Sequence, residues 1–217
     1  KQYAIDYFLY LWCGPDSPLF DKSKMAEESF LYKHPFSLNK TTQVKARGFK
    51  EGYHPSRVLS IIALKAELKD ALSVHPVQNG VTYKYFEGNY QKVTDIEKTP
   101  LLRTGVLSKP SIQGASRTDH FGYIFSGLIK VPENGVYTFQ TSSDDGSVLY
   151  IDNELVVNND GSHAAIPATG FIALEKGFHS YKLYYFEDYE GEHLSWAWKL
   201  PSAETLVPIP SSVLYVE

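Results

Sequence analysis

The chain has 217 residues, room for one large domain or two modest ones. Hydrophobic residues make up 43% of it, enough to build a packed core and too many for an intrinsically disordered chain. The formal net charge of -4 argues against the basic surface that nucleic-acid binding requires, and the single cysteine, Cys13, excludes an intramolecular disulfide and a cysteine-rich zinc site. No apolar run reaches the ~18 residues of a membrane-spanning helix, so no membrane partner is expected. The chain opens at Lys1 on an apolar, strand-like stretch without a charged-then-apolar leader, the start expected of a piece of a larger protein.

The aromatic content is the most informative figure. Sixteen Tyr, 12 Phe and 3 Trp, with 15 Gly and 12 Pro, are the usage of an all-β protein with many turns. In chain order, residues 3–12 read as a strand, and Gly14-Pro15-Asp16-Ser17-Pro18 opens a turn and a solvated loop. A strand follows over 42–49, where Val44, Ala46 and Gly48 alternate with Lys45 and Arg47; Gly52 and Pro55 then mark a turn. Residues 57–72 suit either one helical face or a β-branched strand, and a strand over 58–66 is expected. A linker over 69–80 ends in Asn79-Gly80. Beyond it, strands are expected at 81–87, 120–130, 135–142, 147–152, 154–157, 169–174, 177–187 and 193–200, separated by Gly, Asn and Asp turns, a sandwich or barrel signature.

Ordered motifs in the second segment resemble the PA-14 domain, the module named after a protective antigen. They are YKYFEG at 83–88, the run at 131–163 around SSDDGSVLYIDNELV, LEKGFHSYKLYYFE at 174–187, His193-Leu194-Ser195-Trp196 and IPSSVLY at 209–215. In the first segment, TTQVKARGFKEGYHPSRV at 41–58 resembles the end of the small sandwich at the C-terminus of chitobiase-type β-N-acetylhexosaminidases. Together the resemblances imply an all-β chain: a small β-sandwich over 1–68, a linker over 69–80 and a PA-14-type β-sandwich or barrel over 81–217. That order is similar to the tail of a large bacterial glycoside hydrolase.

Asp144-Asp145-Gly146-Ser147 follows the strand expected at 135–142. Adjacent carboxylates repel, and they are tolerated when solvated in a turn or when a cation neutralises them; both readings stand. The resemblance implies calcium, because in PA-14 lectins an adjacent Asp pair joined by a cis peptide holds a calcium ion that grips sugar hydroxyls. A second loop, Glu187-Asp188-Tyr189-Glu190-Gly191-Glu192, is expected to complete that site. The expected metal ligands are therefore Asp144, Asp145, Glu187 and Asp188, and the expected carbohydrate contacts Asp144, Asp145, Asp188 and Tyr189. Asn158, Asn159, Asp160 and His163 form another polar loop that suits either a ligand or plain solvation. Trp196 and Trp198 alternate on one strand, as core pairs or sugar platforms do, and Tyr184 and Tyr185 read as packing residues. Asn39-Lys40-Thr41 is a glycosylation sequon.

No H-E-x-x-H, G-x-S-x-G, Walker loop or G-x-G-x-x-G occurs in the chain, and the paired carboxylates of a glycosidase need a larger barrel than these short strands supply. The chain is expected to be non-catalytic, with no catalytic residue. Its expected role is carbohydrate binding beside the catalytic domain of a parent glycoside hydrolase in the periplasm, at the cell surface or outside the cell. The other expectation is a structural spacer that packs on that catalytic domain.

Overall fold

The computed structural model describes residues 8–13, 30–33, 38, 40–50, 52–63, 65–76 and 78–217. The Gly14–Pro18 turn, residues 3–7 of the first expected strand and Asn39 of the sequon lie outside the described residues. The chain divides into two units, Lys1–Ala66 and Glu67–Glu217. Both are built of antiparallel strands, so the fold is all-β. Among the described residues no helix is long and apolar enough to cross a membrane.

The first unit holds one sheet in the order β2-β1-β3-β4, made of β1 (Phe8–Cys13), β2 (Phe30–Leu31), β3 (Thr42–Phe49) and β4 (Leu59–Ala63). On β3 the expected alternation holds: Val44 and Ala46 are buried, with Ala63 packed against them. The Pro55-Ser56 pair is fastened to β3, because the Arg47 Nε–H donates to the Ser56 carbonyl at 2.8 Å and the Gly48 N–H to the Ser56 hydroxyl at 2.9 Å. The ambiguous 57–72 stretch resolves as a strand, but a short one. β4 pairs with β3 only from Leu59 to Ala63, and the chain leaves the sheet there.

The second unit is a two-sheet sandwich. Its larger sheet runs β10-β9-β12-β7-β5-β6, from β5 (Val81–Glu87), β6 (Leu101–Leu107), β7 (Phe121–Val131), β9 (Ser147–Ile151), β10 (Glu154–Asn159) and β12 (Gly177–Glu187), with β15 (Leu214–Tyr215) also pairing with β7. The smaller sheet runs β11-β8-β13-β14, from β8 (Gly135–Asp144), β11 (Ile166–Leu174), β13 (His193–Lys199) and β14 (Val207–Pro208). Phe121, Tyr123 and Phe125 of β7 and Tyr181, Leu183 and Tyr185 of β12 meet Tyr137 and Phe139 of β8 and Trp196 and Trp198 of β13 in one core. The Tyr181 and Trp196 rings stand 4.9 Å apart across it. Of the two readings of the Trp pair, core is the one the structure adopts: Trp196 is 8% and Trp198 2% exposed.

The larger sheet is covered on its outer face as well. A 3-10 turn over Val93–Lys98, with Tyr90 before it, lays Val93 and Ile96 on Phe86, Ile124, Val148 and Phe186. That second cover explains why β7 reads as an almost unbroken apolar run rather than a clean alternation. β6 has the opposite pattern. It is an edge strand with Leu101, Leu102 and Val106 exposed, and it carries no alternation because neither face is fully covered.

The segment expected as a linker, 69–80, runs along the second unit, held by single hydrogen bonds rather than a ladder. The Lys69 N–H donates to Ala173, Glu175 N–H to Lys69 and Leu72 N–H to Phe178, each at 2.8 to 3.0 Å. Further on, the Val216 N–H donates to the Gln78 carbonyl, and Asn79 Nδ2 to those of Ser212 and Leu214. Proteolysis between the units should therefore leave a stable fragment that begins near Glu67. A fragment begun at Val81 should melt several degrees lower, having lost these bonds at roughly 1 kcal/mol each. Equal melting temperatures by calorimetry would show that the segment adds nothing.

His179 is fully buried on β12 with an acceptor on each ring nitrogen, the Asp152 carboxylate 2.6 Å from Nδ1 and the Glu175 carbonyl 2.8 Å from Nε2. Burial alone would push the ring's pKa down. The Asp152 carboxylate and Glu175 carbonyl outweigh it and hold the pKa above the ordinary 6.5. The stability that follows from this is fully present below about pH 6.5 and is lost as pH rises through the folded-state value. His179→Gln should unfold at lower urea concentration by about 2–4 kcal/mol at pH 6, and by less at pH 9. A deficit independent of pH would mean that the ring is neutral.

Candidate functional site

β8 ends on Asp144 and β9 begins on Ser147, so Asp145 and Gly146 alone make the connection. The Asp144–Asp145 peptide is cis. Gly146 is required there because a Cβ would run into the Phe186 ring; its carbonyl accepts the Phe186 N–H at 3.0 Å. Beneath the connection lies a buried polar chain: Asn159 Nδ2 donates to the Ser143 hydroxyl, which meets Ser147 Oγ at 2.8 Å, and Ser147 in turn donates to Thr141. These side chains satisfy one another inside the sandwich and fix the ends of β8 and β9.

The two adjacent acids have different surroundings. Asp145 is 4% exposed. Its Oδ1 accepts the His163 N–H at 2.7 Å, and its Oδ2 accepts the N–H groups of Asp188 at 2.7 Å and Tyr189 at 3.3 Å. One carboxylate thus ties together the 160–165 and 187–192 loops. Asp144 is half-buried, with Oδ2 accepting the Ala165 N–H at 3.1 Å. Gly191, at φ 94°, passes so close that a Cβ would sit 2.8 Å from the same oxygen.

Glu187, the last residue of β12, completes the group. Ligand atoms of Asp144, Asp145 and Glu187 lie within 4.8 Å of one another. Glu187 is fully buried, and its Oε1 has no hydrogen-bond partner among the described residues. Burial and then the negative charges of Asp145, Asp144 and Glu192 push its pKa up to about 8, against the opposing hydrogen bond from Tyr185. The Tyr185 hydroxyl lies 2.6 Å from the Asp144 carbonyl and 2.9 Å from Glu187 Oε2. It has one hydrogen for two oxygens; a neutral Glu187 carboxyl supplies the second.

These residues fit a hard divalent cation. The donors are all carboxylate oxygens, as calcium prefers, and Glu187 Oε1 is an orphaned buried acceptor beside them. A bound cation would reverse the local electrostatics and hold Glu187 ionised.

Of the residues expected from sequence, Asp144, Asp145 and Glu187 come together. The Asp188 carboxylate turns aside: its Oδ2 accepts the Ser162 hydroxyl at 3.0 Å and its Oδ1 stands 3.6 Å from His120 Nδ1, leaving only its backbone N–H on Asp145. Tyr189 lies on the rim, 64% exposed. In the polar loop, Asn159 is buried in the hydroxyl chain, Asp160 Oδ1 accepts the Val93 N–H at 2.8 Å, and His163 serves Asp145 through its backbone. Sequence reasoning missed Tyr185 as a hydrogen-bonding member, because it sits in a strand among packing aromatics. It also missed Ala165, and it singled out His163 as a side-chain candidate, whereas both contribute a main-chain N–H that no side chain announces.

Glu187 carries its own pH test. Its folded pKa is raised, so its contribution to stability is fully present below the ordinary 4.5 and is lost as pH rises through about 8. In calcium-free buffer, Glu187→Gln should gain on the wild type between pH 4.5 and 8 in urea unfolding, with the His179 dependence common to both. A constant difference across that range would show that Glu187 is ionised throughout.

The family profile of the PA14 domain matches residues 77–211, and that of the Fn3-associated family residues 18–62. A Porphyromonas gingivalis protein named fructose-1,6-bisphosphatase class 3 is 33% identical over 85 residues, 39% of this chain and 12% of that protein. A β-hexosaminidase of the same species is 23% identical over 210 residues, 90% of this chain and 27% of that protein. The chain thus spans about a quarter or less of either relative. Among solved structures, the PA14 domain of the MpAFP antifreeze protein superposes with a TM-score of 0.54 at 15% identity, over 68% of this chain and 96% of that one. The epithelial adhesin 6 A domain of Candida glabrata, in complex with Galβ1-3GlcNAc, does so at 0.52 and 15% identity, over 67% and 90%. The fold is therefore common to these domains, and with the profile spanning residues 77–211 the chain belongs to the PA14 domain family.

Proposed function

We propose that the chain is a non-catalytic carbohydrate-binding accessory region of a glycoside hydrolase of the β-N-acetylhexosaminidase type, acting in the periplasm, at the cell surface or outside the cell. The observation that carries the reading is the carboxylate group Asp144, Asp145 and Glu187 at the loop end of a PA14 sandwich. The cation it suits is calcium, held by Asp144, Asp145 and Glu187, with its remaining coordination open to sugar hydroxyls. Tyr189 on the rim offers a ring face to the sugar, and Asp188 orients the loop through its N–H on Asp145. The β-hexosaminidase alignment supports the parentage, since it runs through 90% of this chain. The chitobiase-type identity of the first unit belongs to the same proposal, and the same β-hexosaminidase alignment is its support.

The same geometry weighs against catalysis by these acids. Glycoside hydrolysis places two carboxyl groups about 5–10 Å apart on either side of the scissile bond. Here the three acids form one group, with Asp145 occupied by three N–H donors and Glu187 fully buried. A weak site is still useful in an accessory module. Millimolar binding is only about -4 kcal/mol, but a tethered module raises the effective concentration of a polymeric glycan at its enzyme.

A second reading, a spacer packing on the catalytic domain, is favoured by β4 of the first unit, where Leu59, Ile61 and Ile62 are all more than half exposed. Calcium separates the two readings. At one hundred times its Kd it should stabilise the second unit by about 2.7 kcal/mol, a rise of several degrees in melting temperature. Asp144→Asn with Glu187→Gln should abolish both the rise and chelator-sensitive binding on a glycan array, and should leave the loops tied through Asp145. If millimolar calcium leaves the melting temperature unchanged and no glycan is retained, the spacer reading replaces this one.

A further inference from the structure

The sheets of the second unit end in different ways at their edges. β10, one edge of the larger sheet, is taken up by β11 of the smaller one: Asn159 Nδ2 donates to the Ile166 carbonyl at 3.1 Å, and Gly170 lies so close to the Val156 carbonyl that no Cβ would fit between them. β11 also receives the Lys69 segment, and β14 is a strand of two residues that ends in Pro208. β6 has no such cover. Among the described residues β5 is its sole strand partner, so one side of its backbone offers unpaired N–H and C=O groups along a strand of seven residues. The strand contains no Pro, Lys, Asp or Glu to guard that edge. Its one charge, Arg103, is turned back on its own unit, with Cζ 4.7 Å from the Tyr85 ring centroid and Nη2 donating to the Gly114 carbonyl. Leu101, Leu102 and Val106 are each about half exposed.

We infer that β6 pairs with the β6 of a second copy of this chain, antiparallel about a two-fold axis at Thr104, in a dimer whose larger sheets join into one. The inference does not rest on the carbohydrate reading. The sequence of the strand selects both the partner and the register. An antiparallel ladder joins residues whose backbone groups face the same way, and those alternate along a strand, so a strand meets its own copy only with the axis on a residue. Centred on Arg103, the pairing would set two guanidinium groups against each other. Centred on Gly105, it would leave Leu102 outside the ladder. Centred on Thr104, Leu-Leu-Arg-Thr-Gly-Val-Leu is apolar at the same positions from either end. Leu102 then meets Val106 of the other copy, Leu101 meets Leu107, and Arg103 meets Gly105, which has no side chain to crowd it. Charge permits the same register. Lys84, the neighbour of Thr104 on β5, would stand about 14 Å from its copy, three strand spacings away and beyond the ~8 Å screening length of physiological salt. Such symmetry is what an isologous interface requires and what a foreign strand would not need.

Sedimentation equilibrium of the full chain, from about 1 µM to about 1 mM, should show a reversible monomer–dimer equilibrium. Thr104→Lys sets like charges face to face across the axis. It should weaken association about tenfold or more and leave the circular dichroism spectrum unchanged. Ile61→Lys, on the exposed edge strand of the first unit, should leave association as it is. The register has its own readout. Thr104→Cys places two thiols opposite each other at the Cα spacing of about 4.5–5.5 Å of a cross-strand pair, within disulfide reach. Mild oxidation should therefore give a 104–104 link in peptide mapping, and Leu102→Cys, which faces Val106, should give far less. A chain that stays monomeric throughout would overturn the inference. So would a dimer that survives Thr104→Lys or is lost in Ile61→Lys, or equal linking of the Thr104→Cys and Leu102→Cys variants.

Discussion

The Asp145 carboxylate is the fastener on which the loop end of the sandwich depends. It is buried, no cationic side chain among the described residues pairs with it, and main-chain N–H groups do the compensating: one from the 160–165 loop and two from the 187–192 loop. N–H donors can stabilise a buried carboxylate well, but they leave its charge in place. That charge acts on Glu187, whose own burial already favours the neutral acid. The raised pKa of Glu187 is thus partly a product of how Asp145 is anchored, and the two acids cannot be understood separately.

The same device recurs around the site. Asp144 accepts from Ala165, Asp160 from Val93, Asp119 from Glu190 and Asp188 from Ser162. Acids concentrated at one end of the molecule tie irregular loops to each other and to the sheets. This grades their availability. Asp145 is held on both oxygens, Asp144 on one, and Glu187 keeps an oxygen with no partner. Rigidity comes from below, where aromatics of both sheets interlock and the 3-10 turn closes the outer face of β7 and β12. Loops seated on a core of that kind hold their donors and acceptors in place without a ligand.

How much of this was legible in the sequence follows from which signals are local. The strands from Val81 onward declare themselves, because alternation and Gly, Asn or Asp turns are written in neighbouring residues; even the Trp196 and Trp198 pair shows its common face. β6 does not declare itself, since an edge strand with both faces partly open has no period to read. Segment 69–80 has the composition of a linker because single hydrogen bonds to distant strands impose no pattern on it. At the site, the Asp pair and the 187–192 loop were visible as residue types through their resemblance to a known family. What separates Asp144 from Asp145, and Glu187 from Asp188, was not. Those neighbours are chemically alike, and the roles of Asp144, Asp145 and Asp188 are set by N–H and hydroxyl groups 18 to 44 positions away in the chain.

Glu187 then poses a question of energetics. An ionisable group at a fully buried position is less stable there than an apolar one of similar size would be, unless something neutralises it. Two neutralising partners are open to it. A proton serves below about pH 8, at the price of the Tyr185 hydroxyl receiving from Glu187 while it donates to the Asp144 carbonyl. A divalent cation would serve as well, and would engage Asp144 and Asp145 at once. The proton satisfies Glu187 and leaves the charges of both aspartates in place, whereas a bound cation would neutralise all three. The electrostatic advantage of the cation over the proton therefore grows with pH up to about 8 and is constant above it, because the proton must be displaced only while Glu187 holds one.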